Sequence, residues 1–186
     1  MVDAEAFCES VALLYWEGAL PALGLLAGLL VTLRLIKRAG LVEAGSRITL
    51  WRLADLCAPG LALIQAIWSL GNIFNQQGYG IETKVPWAVF FDGALRHPLF
   101  LYQFAWNLAL FFFLLKISKR EKVPGAVFLR YFTWYFGGYF WIEGVVVDPV
   151  LWGRFKAGQL ISLLVFHGGL ILLWWRRRQF KKAEGV

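Results

Sequence analysis

The chain has 186 residues, of which 59% are hydrophobic and 17% are charged, and its formal net charge is +7. Soluble domains carry roughly 45–50% apolar and about 25% charged residues, so this composition excludes a disordered chain, a disulfide scaffold and an ordinary water-soluble enzyme. Positive charge is common both in nucleic-acid-binding proteins and at the ends of membrane spans, so the positions of the basic residues decide its meaning.

Five apolar segments are long enough to cross a membrane. A helix needs roughly 20 apolar residues to span a bilayer core of about 30 Å. The segments are residues 11–33, 53–71, 99–115, 126–147 and 157–175. The sequence therefore predicts an all-α, polytopic membrane protein, with residues 1–186 forming a single transmembrane domain of about five helices.

The basic residues alternate between the two ends of these spans. Fourteen of the 19 lie between spans one and two, between spans three and four, or after span five. The positive-inside rule places these segments in the cytoplasm, so that the N-terminus lies outside and residues 176–186 form a basic cytoplasmic tail. Membrane topology thus explains the charge, and no nucleic acid is expected as a partner. The acidic leader lacks the basic region of a cleavable signal peptide.

Polar residues inside the spans need a partner or a function, because hydrocarbon solvates them poorly. Glu143 in span four is a functional candidate for this reason. Gln65, Gln103 and Asn107 in spans two and three favour hydrogen bonds between helices. His167 in span five could bond a neighbouring helix, and its ordinary pKa near 6.5 would also suit a base.

Residues 72–98 form the longest polar segment between two spans, and such segments often carry function. Asn72, Asn75 and Gln76 would share one face if the second helix continued for a further turn. Their side-chain amides could bond lipid oxygens, or these residues could cap the helix and order the loop. The spacing alone does not distinguish the two alternatives. His97 lies at the end of this segment, at the mouth of span three.

Four strings in collinear order carry a resemblance. They are ADLCAPGLALIQAIWSLGNIFNQQGYG at 54–80, RHPLFLYQFAWN at 96–107, GYFWIEGVVVD at 138–148 and AGQLISLL at 157–164. Together they resemble the prolipoprotein diacylglyceryl transferase family, and the first is similar to its signature region. The likeness covers most of the chain.

The resemblance implies a multi-pass enzyme of lipoprotein biosynthesis in the bacterial inner membrane. Such an enzyme moves a diacylglyceryl group from phosphatidylglycerol to the lipobox cysteine of a prolipoprotein, and glycerol phosphate leaves. The implied partners are phosphatidylglycerol, the prolipoprotein signal peptide and membrane lipid. No metal and no cofactor are implied.

The resemblance also indicates a site. Glu143 matches an acid of the family, whereas the span that carries the family's catalytic histidine is absent, so His97 and His167 are the only imidazoles available as a base. These three are the expected catalytic residues. The expected substrate-binding residues are Asn72, Asn75, Gln77, Gly80, Arg96 and Tyr102. The chemistry fits these types, because a thiol with a pKa near 8.5 needs a base or a positive field, and a leaving phosphate needs donors in a dry site.

Several positions depart from the family pattern. Ser69, Tyr139 and Val146 stand where the family usually carries arginine, and Gln77 and Gln103 stand where it usually carries an acid. These departures leave two alternatives open. One is a noncatalytic relative that binds phosphatidylglycerol or a lipoprotein. The other is a small transporter or channel subunit, which would be expected to show inverted repeats.

Overall fold

The chain folds into five helices, as seen in a computed structural model that describes residues 4–39 and 49–183, with side chains from residue 20 onward. The helices are α1 (Ala4–Arg38), α2 (Leu50–Phe74), α3 (Leu99–Ser118), α4 (Ala126–Gly144) and α5 (Ala157–Ala183). They confirm the predicted all-α fold. The last helix runs on through most of the segment predicted as a basic tail.

Within the described residues, four helices are long and apolar enough to cross a membrane. They are residues Leu20–Arg38 of α1 together with α2, α3 and α5. α4 falls short because Arg130, Glu143 and three tyrosines interrupt its apolar sequence. α4 packs against α2, α3 and α5, so it needs less apolar surface of its own. Exposed leucines and aromatic rings cover the bundle, α4 included, as expected for a membrane protein.

Glycines bring α1 and α2 into close contact. A Cβ atom on Gly28 would lie 2.7 Å from the carbonyl oxygen of Gly60, and a Cβ on Gly60 would lie 2.7 Å from that of Gly28. Gly24, one turn before Gly28, faces Ile64 and Ile67. Small residues spaced four apart let two membrane helices approach until their backbones are in contact.

The core lies where α2, α3 and α4 meet. Ala58 of α2, Leu114 of α3 and Val127 of α4 are buried in it. α5 packs on another face of α4, and a Cβ on Gly169 would lie 2.2 Å from the hydroxyl oxygen of Thr133. The bundle is thus built on small residues that admit the side chains of a neighbouring helix.

The polar segment between α2 and α3, expected to be a loop, contains a small antiparallel sheet. Its strands are β1 (Tyr79–Glu82), β2 (Val89–Phe91) and β3 (Ala94–Pro98), in the order β1-β3-β2. Asp92 and Gly93, both with positive φ, form the two-residue turn between β2 and β3. A second hairpin, β4 (Leu151–Trp152) with β5 (Phe155–Lys156), joins α4 to α5. We call this end of the bundle the sheet end.

Main-chain contacts hold the sheet against the end of α4. The Ile81 amide donates to the Val145 carbonyl at 2.9 Å, and Gly80 pairs with Val146 in an isolated bridge. A Cβ on Gly80 would lie 2.5 Å from the Val145 carbonyl oxygen. Glycine is therefore required where β1 crosses the end of α4.

At the opposite end, called the basic end, α2 caps the start of α4. The Asp55 carboxylate accepts hydrogen bonds from the backbone amides of Gly125 at 2.6 Å and Phe128 at 2.9 Å. The first amides of a helix have no partner within the helix, so a side chain of another helix supplies it here.

Charged side chains join the α3–α4 loop to α5 at the basic end. Glu121 pairs with Arg130 and with Arg177. Burial opposes ionisation of Glu121, but its bonds to the two guanidinium groups prevail and hold its pKa below the ordinary value. Arg176 stacks on the ring of Trp51 at 3.9 Å. This end of α5 is thereby fixed to α2 and to the start of α4.

Candidate functional site

A polar cavity of about 270 Å³ lies between α2, α3 and α4. Six polar side chains line it, two from each helix: Gln65, Ser69, Gln103, Asn107, Tyr135 and Tyr139. They are four to nine residues from the helix termini at the sheet end, which corresponds to a depth of about 6–14 Å at 1.5 Å per residue. We call it the amide cavity.

The six polar side chains are uncharged, and they are not all satisfied within the protein. The Tyr131 hydroxyl donates to the amide oxygen of Gln65 at 3.0 Å, and the Ser69 hydroxyl donates to the Ala66 carbonyl at 2.8 Å. Asn107 is only 5% exposed, and its side-chain oxygen has no hydrogen-bond partner in the described part of the chain. The cavity wall thus contains a buried acceptor that the described residues leave unpaired.

A second cavity, of about 340 Å³, adjoins the first and shares Trp106 and Ile142 with it. It is lined by two predicted site residues, His97 and Tyr102. We call it the histidine cavity. The two cavities together place polar groups from α2, α3, α4 and β3 around one indole ring.

That ring, Trp106, forms the wall between the cavities. Its indole nitrogen donates to the Trp134 carbonyl at 3.0 Å. A Cβ on Gly138 would lie 2.1 Å from the same nitrogen, so the indole lies directly on the α4 backbone. Trp68 and Trp106 line the amide cavity and are themselves exposed, so the cavity opens at the surface of the bundle.

His97 is oriented by a short chain of hydrogen bonds. Its Nδ1 lies 2.9 Å from the Tyr102 hydroxyl, which also accepts a hydrogen bond from the Trp87 indole at 2.8 Å. A Cβ on Gly80 would lie 3.0 Å from the Cβ of His97, so β1 passes close beside the base of this side chain. The tautomer in which Nδ1–H donates to Tyr102 leaves Nε2 with the lone pair that a base needs.

The predicted amide cluster lies at the end of α2. The backbone N–H of Asn75 donates to the backbone carbonyl of Gly71 at 3.3 Å, and the backbone N–H of Gln77 donates to that of Asn72 at 2.9 Å. Gln76 adopts a positive φ of 52°, which turns the chain into β1. The backbone of the cluster therefore terminates the helix. The side-chain oxygen of Asn75 is buried without a partner among the described residues, and the substrate-binding role stays a prediction.

Arg96 and His97 point to opposite faces of β3, because neighbouring side chains alternate along a strand. The Arg96 guanidinium lies 3.7 Å from the Glu82 carboxylate, whereas its buried Nε has no hydrogen-bond partner among the described residues. The role of Arg96 as the counter-charge for phosphate stays a prediction.

Glu143 is buried near the end of α4, where it faces α5. A Cβ on Gly158 would lie 2.5 Å from its carboxylate carbon. Tyr139, which lines the amide cavity, lies one turn before Glu143 and interacts with its carboxylate. Lys156 donates to the backbone carbonyls of Glu143 at 3.3 Å and Gly144 at 2.8 Å. Glu143 is therefore one side chain away from the amide cavity.

His167 lies in a third cavity, which shares Trp106 and Trp141 with the histidine cavity. It is exposed on α5, and its Nδ1 lies 2.8 Å from the Leu163 carbonyl of its own helix. This cavity lies between α4 and α5 and includes neither His97 nor Glu143. Among the side chains that the structure describes, no three His, Cys, Asp or Glu residues are grouped to hold a metal ion.

The amide cavity itself was not predicted. Gln65, Gln103 and Asn107 were expected to join helices, and Gln65 does so. A signal for the cavity is nevertheless present in the sequence. Each of three helices carries a pair of polar residues spaced four apart: Gln65 with Ser69, Gln103 with Asn107, and Tyr135 with Tyr139. This spacing puts both members of a pair on one helix face.

The fold and the cavities define a helical membrane protein with a polar, surface-accessible site below one end of its bundle, which is an arrangement suited to acting on lipids or binding them. The family described as prolipoprotein diacylglyceryl transferase matches residues 8–175. The chain belongs to this family, as the resemblance implied.

Similar proteins have the same family name. Proteins named phosphatidylglycerol–prolipoprotein diacylglyceryl transferase from Gloeobacter violaceus and from Listeria welshimeri are 37% and 36% identical to the chain, over 91% and 87% of its length. The protein of that name from Listeria innocua is 34% identical over 87% of the chain. The chain spans 61% of the length of each Listeria relative and 65% of the Gloeobacter one.

Three of the five departures from the family pattern lie in one place, and Gln77 and Val146 lie outside it. Ser69 and Tyr139, where arginine is usual, both line the amide cavity, and so does Gln103, where an acid is usual. The substitutions thus remove positive and negative charge from the same site.

Proposed function

We propose that this protein transfers a diacylglyceryl group from phosphatidylglycerol to the cysteine of a prolipoprotein. The observation that carries the proposal is the family match over residues 8–175 together with a polar cavity at the matched positions. The relatives' names state this reaction for those proteins.

His97 is the base in the proposed reaction. It takes the thiol proton of the cysteine on Nε2 while Nδ1 remains bonded to Tyr102. The thiolate then attacks the diacylglyceryl carbon, a carbon–sulfur bond forms, and the carbon–oxygen bond to the phosphate breaks. The leaving glycerol phosphate carries away the bonding electron pair and can recover the proton from His97. A thiolate is a far better nucleophile than a thiol, so positioning a base here has a direct effect on rate.

The sheet end faces the outside in this proposal, and the basic end faces the cytoplasm of a bacterium across its inner membrane. The alternating basic residues support this orientation. The amide and histidine cavities then lie at the outer half of the bilayer, where a prolipoprotein signal peptide and phosphatidylglycerol both have access.

A noncatalytic lipid-binding relative is the second candidate function, and the uncharged amide cavity favours it. Transfer needs stabilisation of a leaving phosphate, and removing one preorganised donor commonly costs about 10²–10³ in rate. Ser69 and Tyr139 supply hydroxyls where cations are usual. Under this reading the cavity holds the lipid and no thioether forms.

A transfer assay separates the two candidates. Purified protein is incubated in detergent with phosphatidylglycerol and a lipobox peptide, and the thioether adduct is measured by mass spectrometry. We expect the adduct, with a loss of at least about 10²-fold for His97→Gln, as is usual for a general base. Tyr102→Phe removes the hydroxyl that orients the ring and should lower the rate less.

The two histidines provide a direct comparison. His167→Gln alters an exposed imidazole in a different cavity, and we expect it to retain transfer. Loss of transfer with His167→Gln but not with His97→Gln would assign the base to α5 and contradict this mechanism. An absence of adduct from the unaltered protein, with lipid binding retained, would support the binding function instead.

A further inference from the structure

The polar groups of the amide cavity cannot neutralise an anion. Gln65, Ser69, Gln103 and their partners are amides, a serine and phenols. No lysine or arginine of the described residues lines the cavity. Arg130, five residues before Tyr135, pairs with Glu121, and Arg96 lies 3.7 Å from the Glu82 carboxylate. An anion moved from water into a site below the helix ends, without a paired cation, loses hydration that nothing there replaces. The cavity therefore favours a neutral ligand group.

The buried oxygen of Asn107 specifies which neutral group fits. It accepts no hydrogen bond from the described residues although the side chain is only 5% exposed. A buried acceptor without a donor is costly, so a ligand that brings a donor is favoured. A phosphodiester oxygen can only accept, whereas a hydroxyl can donate to Asn107 and accept from neighbouring amides and phenols.

The shape of the site fits a lipid that carries such a group. The cavity lies about 6–14 Å below the helix termini and opens beside the exposed rings of Trp68 and Trp106. Acyl chains could thus remain outside the bundle while the headgroup enters between α2, α3 and α4.

We propose that the amide cavity binds the uncharged, multiply hydroxylated part of a glycerolipid headgroup, and that it recognises hydroxyls through Asn107 rather than the phosphate charge. The proposal rests on the lipid-handling function proposed above and adds a headgroup class to it. The terminal glycerol of phosphatidylglycerol belongs to this class, and so does the sugar of a neutral glycosyl diacylglycerol.

Three short-chain lipids separate hydroxyls from charge. Dioctanoyl phosphatidylglycerol has both, monoglucosyl dioctanoylglycerol has hydroxyls alone, and dioctanoyl phosphatidic acid has charge alone. Affinity is measured by native mass spectrometry and by the thermal shift of the full chain in detergent. We expect the first two lipids to bind within about tenfold of each other and phosphatidic acid at least tenfold more weakly. Methyl glucoside, which lacks acyl chains, should bind more weakly than the glucosyl lipid.

The variant Asn107→Leu tests the recognising group. It removes both amide heteroatoms and keeps the number and branching of the heavy atoms, so we expect little loss of thermal stability without lipid and about tenfold weaker binding of both hydroxylated lipids. Thr133→Val is the matched control, because it removes a buried hydroxyl that already donates to the Leu129 carbonyl and lies outside the amide cavity. It should leave lipid affinity unchanged.

Equal binding of phosphatidic acid and phosphatidylglycerol with no binding of the glucosyl lipid would overturn the inference. So would full retention of affinity in Asn107→Leu. The transfer assay is separate: binding that depends on hydroxyls without any adduct defeats the transferase proposal alone, whereas transfer with no dependence on hydroxyls defeats this inference alone.

Discussion

The substitution Gly138→Ala tests whether α4 needs a glycine beneath the wall of the two cavities. The new Cβ would lie 2.1 Å from the indole nitrogen of Trp106, and ordinary contact begins at 3.4 Å, so the ring has to move about 1.3 Å. Overpacking of this kind costs about 1–3 kcal/mol, and loss of the hydrogen bond to Trp134 costs about 0.5–1.5 kcal/mol. Alanine in a helix returns about 0.5–1 kcal/mol. The expected net destabilisation is about 0.5–4 kcal/mol.

Denaturant unfolding in detergent measures this change, with Gly168→Ala as the control. Nothing lies within 4 Å of a Cβ on Gly168, so the control should be neutral or slightly stabilising. A double-mutant cycle with Trp106→Ala isolates the contact, since Gly138→Ala should cost little once the indole is gone. An equal cost of Gly138→Ala with and without the indole would refute the reasoning.

Two further predictions concern the basic end. Asp55→Ala should destabilise the protein by about 1–3 kcal/mol in the same unfolding assay, because two backbone amides at the start of α4 lose their shared acceptor. Asp55→Asn, which keeps one acceptor oxygen, should cost less, and equal effects would argue against the cap. Glu121 has a pKa below its ordinary value of 4.5, so its ion pairs stabilise the fold above that pH and are lost as the pH falls through the lowered value. Unfolding free energy should therefore fall more steeply below about pH 4.5 in the unaltered protein than in Glu121→Gln, and parallel curves would contradict this.

The helices could be predicted because the bilayer imposes strict demands on length and polarity. A spanning helix has to satisfy its backbone internally over about 20 apolar residues, so hydropathy alone locates it. α4 shows where the signal weakens. Its tyrosines, Arg130 and Glu143 lower the hydropathy, since much of this helix faces other helices rather than lipid. Residues 126–147 were nevertheless predicted as a span, because aromatic and aliphatic residues fill most of the remaining positions of α4.

The sheet between α2 and α3 was not predicted, because strands of three to five residues are too short to show a clear alternation of apolar and polar residues. The Asp92–Gly93 dipeptide was the available signal, since it favours a two-residue hairpin turn. The sheet matters for the site because β3 carries His97 and β1 passes close beside it. Arg96 and His97 are adjacent in sequence and were both predicted to lie in one site. Side chains alternate along β3, so the two residues point to opposite faces of the sheet.

The placement of the candidate site depends on glycines that carry no chemistry of their own. Gly138 lets the Trp106 indole lie on α4, Gly158 admits the Glu143 carboxylate, and Gly80 leaves space beside His97. In each case a Cβ would come within 3.0 Å of the neighbouring side chain. Such glycines are missed when only polar residues are considered as site candidates. A family resemblance includes them, because it compares every residue of a segment. Substitution of these glycines should therefore disturb the site as much as substitution of its polar residues, because each would displace a side chain of the site.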